Sequence, residues 1–149
     1  MRQLNLPTYQ TEVKKIGGDL KIYDVLRHKY VALTPEEWVR QNFIHFLVEY
    51  KGYNASLMAN EVEVSLNGTN KRCDSVLYSR QLVPRMIIEY KRPDVEITQK
   101  VFDQICRYNM VLRVEYLIVS NGLKHYCCRI DYSAGTYVFL EDIPSYQEL

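Results

Sequence analysis

Two carboxylates and one amine carry the chemistry this chain is best equipped to perform. They sit in Lys71-Arg72-Cys73-Asp74 and in Met86-Ile87-Ile88-Glu89-Tyr90-Lys91. Both segments read as short strands. Side chains along a strand alternate faces, so Glu89 and Lys91 share one side and Tyr90 takes the other. If the two strands pair, Asp74 comes beside Glu89. Hard divalent cations such as magnesium take one or two carboxylates together with waters and a substrate phosphate. A lysine beside such a cation can position or activate the attacking water, which completes a minimal set for metal-assisted phosphodiester cleavage.

Glu-x-Lys alone does not single out a site. It occurs as Glu12-Val13-Lys14, Glu49-Tyr50-Lys51 and Glu89-Tyr90-Lys91, with Asp19-Leu20-Lys21 a near relative. Glu49 to Lys51 closes a helical pattern, where residues two apart point roughly 200° away from each other. Glu12 to Lys14 lies in a polar stretch with no apolar run leading into it. Only Glu89 follows an apolar run, Met86-Ile87-Ile88, of the kind that fills a buried strand. A charged pair there is costly unless paired, hydrogen-bonded or metal-bound. A surface salt bridge at a strand terminus is the competing reading.

The elements that must position these groups follow in order. Leu20 to Leu26 and Lys29 to Leu33 are short strands joined near Arg27-His28. Thr34-Pro35-Glu36-Glu37 starts a helix, with Thr34 as N-cap, proline at the first helical position and Glu37 completing a capping box. Val39, Phe43, Phe46, Leu47 and Tyr50 recur at helical spacing as its inward face, and Gly52 ends it. Glu61 to Leu66 alternates as a strand into the turn dipeptide Asn67-Gly68. The Asp74 and Glu89 strands come next, and Pro93 takes the chain out of the sheet. A second helix is predicted from about Glu96 to Val111, with Ile97, Val101, Ile105, Tyr108 and Leu112 buried and Asp103–Arg107 as an outward ion pair. Tyr116 to Val119, Lys124 to Ile130 and Tyr137 to Leu140 read as strands, the first two joined at Asn121-Gly122. A helix between the third and fourth core strands suits a right-handed crossover between parallel neighbours.

Composition narrows the class. The 149 residues, 47% of them hydrophobic, fit one domain with a real core. No run approaches the roughly 18 apolar residues of a membrane span, and the N-terminus has no apolar stretch resembling a signal peptide. Cys73, Cys106, Cys127 and Cys128 lack zinc-type spacing and read as reduced, buried thiols of a cytoplasmic protein. His28, His45 and His125 are isolated, and His45 sits among apolar helix residues as a packing group. The net charge of +1 gives no global basic footprint. Between Thr69 and Arg92, however, Lys71, Arg72, Arg80, Arg85, Lys91 and Arg92 face only Asp74 and Glu89. Such a basic rim suits a site holding phosphate and metal together; an ordinary solvated strand surface is the alternative.

Taken together, Pro35-Glu36-Glu37-Trp38-Val39-Arg40-Gln41, Lys71-Arg72-Cys73-Asp74, Ile88-Glu89-Tyr90-Lys91-Arg92-Pro93, Phe102-Asp103-Gln104-Ile105-Cys106-Arg107-Tyr108 and Ser120-Asn121-Gly122 carry a resemblance. In order and spacing the chain resembles the PD-(D/E)XK nuclease superfamily. It is closely similar to the N-terminal nuclease domain of type I restriction enzyme R subunits, a domain also found in short stand-alone proteins. The resemblance implies a restriction-endonuclease-like single α/β domain, a central mixed sheet flanked by helices in the core order αβββαβ. Residues 1–33 would be an N-terminal strand extension and 35–131 the nuclease core. It implies Asp74 and Glu89 as metal-binding catalytic acids, Lys91 as the catalytic lysine, and Gln104 with Tyr108 as a Gln-x-x-x-Tyr helix motif. Glu37 is either an acid that some relatives carry on the first helix or simply the capping residue. Cys73 stands where the superfamily's name has proline, a position that varies within it.

The expected function is a magnesium-dependent endonuclease, with manganese as an alternative cation, hydrolysing DNA in a restriction–modification setting. Lys71, Arg72, Arg80 and Arg92 are the expected nucleic-acid contacts. DNA and other restriction or DNA-processing chains are the expected partners, with no membrane and the oligomeric state open. With no Gly-x-x-x-x-Gly-Lys-Ser/Thr loop and no room expected for a translocating motor, the chain would be either a stand-alone nuclease or a module working with other chains, and its modest charge would make DNA binding weak and targeting dependent on a partner. Two other readings stay open: a non-catalytic nucleic-acid-binding or assembly module that keeps the fold, and an enzyme acting on RNA or damaged nucleic acid.

Overall fold

Thr34 stops the third strand and starts the first helix: its Oγ1 accepts the Glu37 amide at 3.0 Å and Pro35 occupies the first turn. The computed structural model describes residues 1–66 and 68–149, the Leu66 side chain excepted, so the expected Asn67-Gly68 turn falls outside the described residues. In chain order the elements are β1 (Val13–Ile16), β2 (Asp19–Asp24), β3 (Lys29–Ala32), α1 (Pro35–Tyr50), β4 (Met58–Leu66), β5 (Thr69–Tyr78), β6 (Pro84–Tyr90), α2 (Gln99–Met110), β7 (Tyr116–Ser120), β8 (His125–Asp131) and β9 (Thr136–Leu140). Strands β4 to β9 form one sheet in sequence order, antiparallel throughout except where α2 carries the chain from β6 to its parallel neighbour β7. The expected order of helix, three strands, helix and strand is present as α1, β4–β6, α2 and β7. Among the described residues no helix is long and apolar enough to cross a membrane.

Each face of this sheet has its own apolar layer. Val39, Phe43 and Leu47 of α1 pack on Leu77, Met86, Ile88 and Ile118; Phe102 and Ile105 of α2 pack on Val76, Ile87, Leu117 and Val119. Central strands covered on both sides must be apolar at every position, which is why Met86-Ile87-Ile88 and Tyr116-Leu117-Ile118-Val119 do not alternate.

Several local expectations need correction. Val13–Ile16 is a strand despite its polarity, because the Gly17-Gly18 turn (φ +60° and +88°) folds it back to pair Val13 with Ile22 and Lys15 with Leu20. Tyr50, expected to face inward, is exposed at the last turn of α1, and Phe46 is half-buried. Helix α2 begins at Gln99 with Thr98 as its N-cap, and the buried stripe is Phe102, Ile105, Cys106 and Asn109. Tyr108 therefore lies outside that stripe, 48% exposed. Asp103 engages Gln99 and the Tyr137 hydroxyl in place of the expected pair with Arg107. The capping box at α1 is half formed, since the Glu37 carboxylate turns to Arg27 and Gln41, each at 2.9 Å.

That carboxylate belongs to a polar chain joining the small β1–β3 sheet to the large one. Fully buried Asp24 accepts the Leu26 amide (2.8 Å), the Arg27 amide (3.1 Å), the Arg27 guanidinium and Asn60 Nδ2 (3.0 Å). Ser75 Oγ donates to Asn60 Oδ1 at 2.6 Å, and the Tyr90 hydroxyl donates to Ser75 Oγ at 2.9 Å. Burial pushes the Asp24 carboxyl up, but the hydrogen bonds from Asn60, Arg27 and the two amides outweigh it and hold the carboxyl below its ordinary range. Removing one partner of a buried, hydrogen-bonded charge pair strands the other. Asp24→Ala is expected to lower folding stability by about 3–5 kcal/mol, read as a fall in the urea midpoint. Because the native pKa is depressed, the advantage of Asp24 is present above the unfolded pKa and shrinks as pH falls through the folded one, so the two proteins converge in acid.

Candidate active site

Strand β6 pairs with β5 so that Ser75 lies opposite Ile88 and Val76 opposite Ile87. Carried one step further, this register sets Asp74 opposite Glu89 on one face, with the Tyr90 amide donating to Asp74 Oδ2 at 2.9 Å. Lys91 is two residues past Glu89 on the same side, and its amide bonds the Ser120 carbonyl at 2.8 Å, continuing the pairing with β7. The Ser120-Asn121-Gly122 turn buttresses this end of the sheet. Ser120 Oγ meets His125 Nδ1 at 2.7 Å, and Asn121 Nδ2 reaches the Val95 carbonyl at 2.8 Å.

The ladder between β4 and β5 opens beside Asp74. It runs from Asn60–Ser75 to Val62–Cys73 and skips the Glu61–Asp74 step, where Glu61 adopts φ +52°. Simple alternation would keep Met58 and Val64 on one face, as it would Leu77 and Cys73. Instead Met58 and Leu77 belong to the α1 layer, and Val64 and Cys73 to the α2 layer. Both strands turn over at this step. A non-glycine residue at positive φ is uncommon and marks a backbone held in place by its surroundings. Here Arg40 supplies the hold: Nη1 donates to the Asp74 carbonyl at 2.7 Å and Nη2 to Glu61 Oε1 at 2.6 Å.

Burial and proximity raise the proton affinity of both acids. The Glu89 carboxyl is pushed from its ordinary 4.5 to about 7 by burial first and by the Asp74 charge second, against the pull of Lys91 and the Asn109 amide. Asp74 is also raised by burial, opposed by the Tyr90 amide, Arg40 and Lys91. Glu36, in the first turn of α1, is raised by burial and then by Asp74. Two half-buried carboxylates, each raised by burial, with Glu89 raised further by Asp74 and Asp74 by Glu61, form a poor resting state for two anions. Among the described residues no group of three or more His, Cys, Asp or Glu side chains converges. Asp74 and Glu89 would offer oxygen donors alone, a set that suits a hard divalent ion completed by water and phosphate.

Helix α2 walls the other side. Gln104 and Tyr108 line, with Glu89 and Ile105, an open cleft of ≈ 230 Å³. Lys71 Nζ stands 3.7 Å above the Tyr108 ring, a cation–π contact at the cleft rim. A larger hollow of ≈ 410 Å³, lined in part by Lys51, Tyr116 and Arg129, lies at the opposite end of β7 and shares none of these residues.

Other expected site residues go elsewhere. Glu37 is buried among Arg27, Gln41 and Arg40 (3.1 Å to Nε), so the acid of the first turn that senses Asp74 is its neighbour Glu36. Arg80 sits in the turn after β5, six residues from Asp74, or about 20 Å along an extended strand. Arg85 lies over the Tyr146 ring, Arg72 pairs with Glu61 at 3.0 Å, and Arg92 pairs with Asp94 at 3.2 Å. Arg80 and Arg85 thus leave the basic rim, because an extended strand carries them along the sheet away from Asp74; Lys71 and Lys91 stay, and Arg72 and Arg92 stand exposed in pairs with nearby carboxylates. Sequence reasoning missed Glu36, Arg40, Glu61 and Asn109. A charged residue inside the otherwise buried run Val39–Ile44, and a polar one in the stripe of α2, were the available signals.

A raised native pKa means that ionised Glu89 is disfavoured by folding. The penalty is absent below the unfolded value near 4.5, grows as pH rises, and is complete above about 7. In chelated, metal-free protein Glu89→Gln is expected to raise stability by about 1–3 kcal/mol at pH 8 and to have no such effect at pH 4.5, measured by urea denaturation at both.

Residues 35–144 match the family model described as the N terminus of the type I restriction enzyme R protein. A solved fragment described as an HsdR subunit of a type I restriction enzyme from Vibrio vulnificus YJ016 is similar over 78% of this chain, at 22% identity and a TM-score of 0.55. This chain spans 24% of that one, and at such identity the likeness concerns the fold, which is restriction-endonuclease-like. No curated protein matches significantly. With the family model covering well over half its length, the chain belongs to the family of type I restriction enzyme R protein N-terminal domains.

Proposed function

We propose that this domain is a divalent-metal-dependent nuclease that hydrolyses phosphodiester bonds in DNA. The observation that carries the reading is the nearness of Asp74 and Glu89 on the paired strands β5 and β6, each disfavoured as an anion by burial and each drawn the other way by Lys91, with Glu89 lining an open cleft. Asp74 and Glu89 would hold the cation, magnesium or manganese; when bound, it supplies positive charge to the phosphodiester under attack and favours ionisation of water. The Lys91 amine orients the attacking water and offers a donor to the phosphate. Glu36 adds negative charge on the α1 side and can accept a proton. Gln104 and Tyr108 contact the nucleic-acid backbone from α2, and Lys71 contributes a phosphate contact at the rim.

The same proposal extends to setting. With Arg72 and Arg92 already paired and a net charge of +1, intrinsic DNA affinity is low, so other restriction or DNA-processing chains supply targeting. That observation also favours a second reading, an assembly or nucleic-acid-binding module that keeps the fold without turnover. Four buried, unpaired cysteines fit a reducing compartment, on which ground we assign the cytoplasm.

Cleavage of single-stranded, duplex and branched DNA, and of RNA, with magnesium or manganese tests the reading. Asp74→Asn, which keeps an acceptor for the Tyr90 amide, and Lys91→Ala are expected to lower cleavage by at least about a hundredfold with the fold retained. Their effects should not add, as befits groups acting as a unit. Lys71→Ala is expected to weaken binding and reduce the salt slope by about 1, whereas Arg80→Ala leaves both unchanged. Folded wild-type protein that cuts none of these substrates with either metal would hand the case to the silent module.

A further inference from the structure

We propose that Arg40 is the positioning residue of this site, fixing the backbone turn-over at Glu61–Asp74 and so aiming the Asp74 carboxylate across to Glu89. The Arg40 side chain is 8% exposed. Its nitrogens reach the Asp74 carbonyl (2.7 Å), Glu61 Oε1 (2.6 Å) and Glu37 Oε2 (3.1 Å), and the guanidinium lies 5.7 Å from the Tyr90 ring centroid. The planar fork of arginine presents donors in several fixed directions, which a lysine ammonium on a flexible stem does not reproduce.

The need for such a fork is local. Skipping the Glu61–Asp74 step takes the Asp74 carbonyl out of the β4–β5 ladder, and a buried main-chain acceptor requires another donor. Glu61 at φ +52° requires an anchor that keeps it there. Arg40 answers both demands with one rigid group, and it stacks on the residue whose amide grips the Asp74 carboxylate. A buried ion pair contributes little to stability compared with well-packed apolar groups. A charged network at this point is therefore better explained by the geometry it imposes than by the stability it adds.

The inference rests on Asp74 and Glu89 as the cation ligands, and the test separates the two ideas. In the full chain, Arg40→Lys retains charge and loses the fork. Hydrogen exchange of the Tyr90 amide should quicken about tenfold or more while that of Ile118 stays unchanged, because only the local unit opens. Manganese affinity by calorimetry should fall about tenfold or more. Equal acceleration at Tyr90 and Ile118, or manganese affinity within about twofold of wild type, would make Arg40 a stability residue only and overturn the proposal. Wild-type protein that binds no manganese, with Tyr90 still selectively loosened in Arg40→Lys, would remove the cation reading and leave the hold of Arg40 on Asp74 supported. Should Arg40→Lys fail to fold, Glu61→Gly keeps the left-handed backbone at no steric cost, removes one anchor of the guanidinium, and is read by the same two measurements.

Discussion

Two carboxylates held side by side and partly out of water are the constraint around which this domain is arranged. Each loses hydration on burial, and the Asp74 charge adds to the effect on Glu89, enough to bring that carboxyl to about 7. A shift of one pKa unit corresponds to about 1.4 kcal/mol of differential interaction, so the arrangement stores a sizeable fraction of a small domain's net stability. What keeps it from relaxing is a surround of weaker partners: the Tyr90 amide and Arg40 on Asp74, the Asn109 amide on Glu89, and Lys91 on both. A divalent cation would relieve the repulsion and the proton affinity together, which is the physical link between the raised carboxyls and the function proposed for them.

The frame must be stiff for the repulsion to persist, and the apolar layers on both faces of the sheet provide this. Strands β6 and β7 are buried on both sides and pair in parallel, so the segment bearing Glu89 and Lys91 is fixed by helix packing above and below. Strand β5 is held differently. It turns over at Asp74, and polar contacts from α1 hold the turn. The chain of Asp24, Arg27, Glu37, Arg40 and Glu61 runs through largely buried space, with Arg27 and Glu61 half-buried, so the β1–β3 sheet is tied to the strand that bears Asp74.

Much of this was legible in one dimension. Helix α1, the strand pair bearing the acids, the crossover helix and the turn at Asn121-Gly122 follow from periodicity, capping and turn chemistry, all of which act over a few residues. The misreadings share a cause. Tyr50 and Tyr108 suit a helical stripe, yet which stripe faces the sheet depends on where α2 starts and where the sheet ends. Val13–Ile16 lacks a strand's composition and becomes one by pairing with β2. Arg80 and Arg85 lie close to Asp74 in sequence and far from it along the sheet, because an extended strand covers distance quickly.

Fold class and family were thus determined by the sequence itself, and alternation along the Glu89-Tyr90-Lys91 segment is what puts its acid and its amine on one side. Tertiary structure alone decided which first-turn glutamate senses the site. Glu36 and Glu37 are adjacent and chemically alike, and about 100° of helix rotation sends one toward Asp74 and the other into the Arg27–Arg40 network. It likewise decided that Arg40, Glu61 and Asn109 matter, because their partners are main-chain atoms and side chains of other strands and helices. A residue's type states which bonds it can make; only the packed chain determines which groups are near enough to make them.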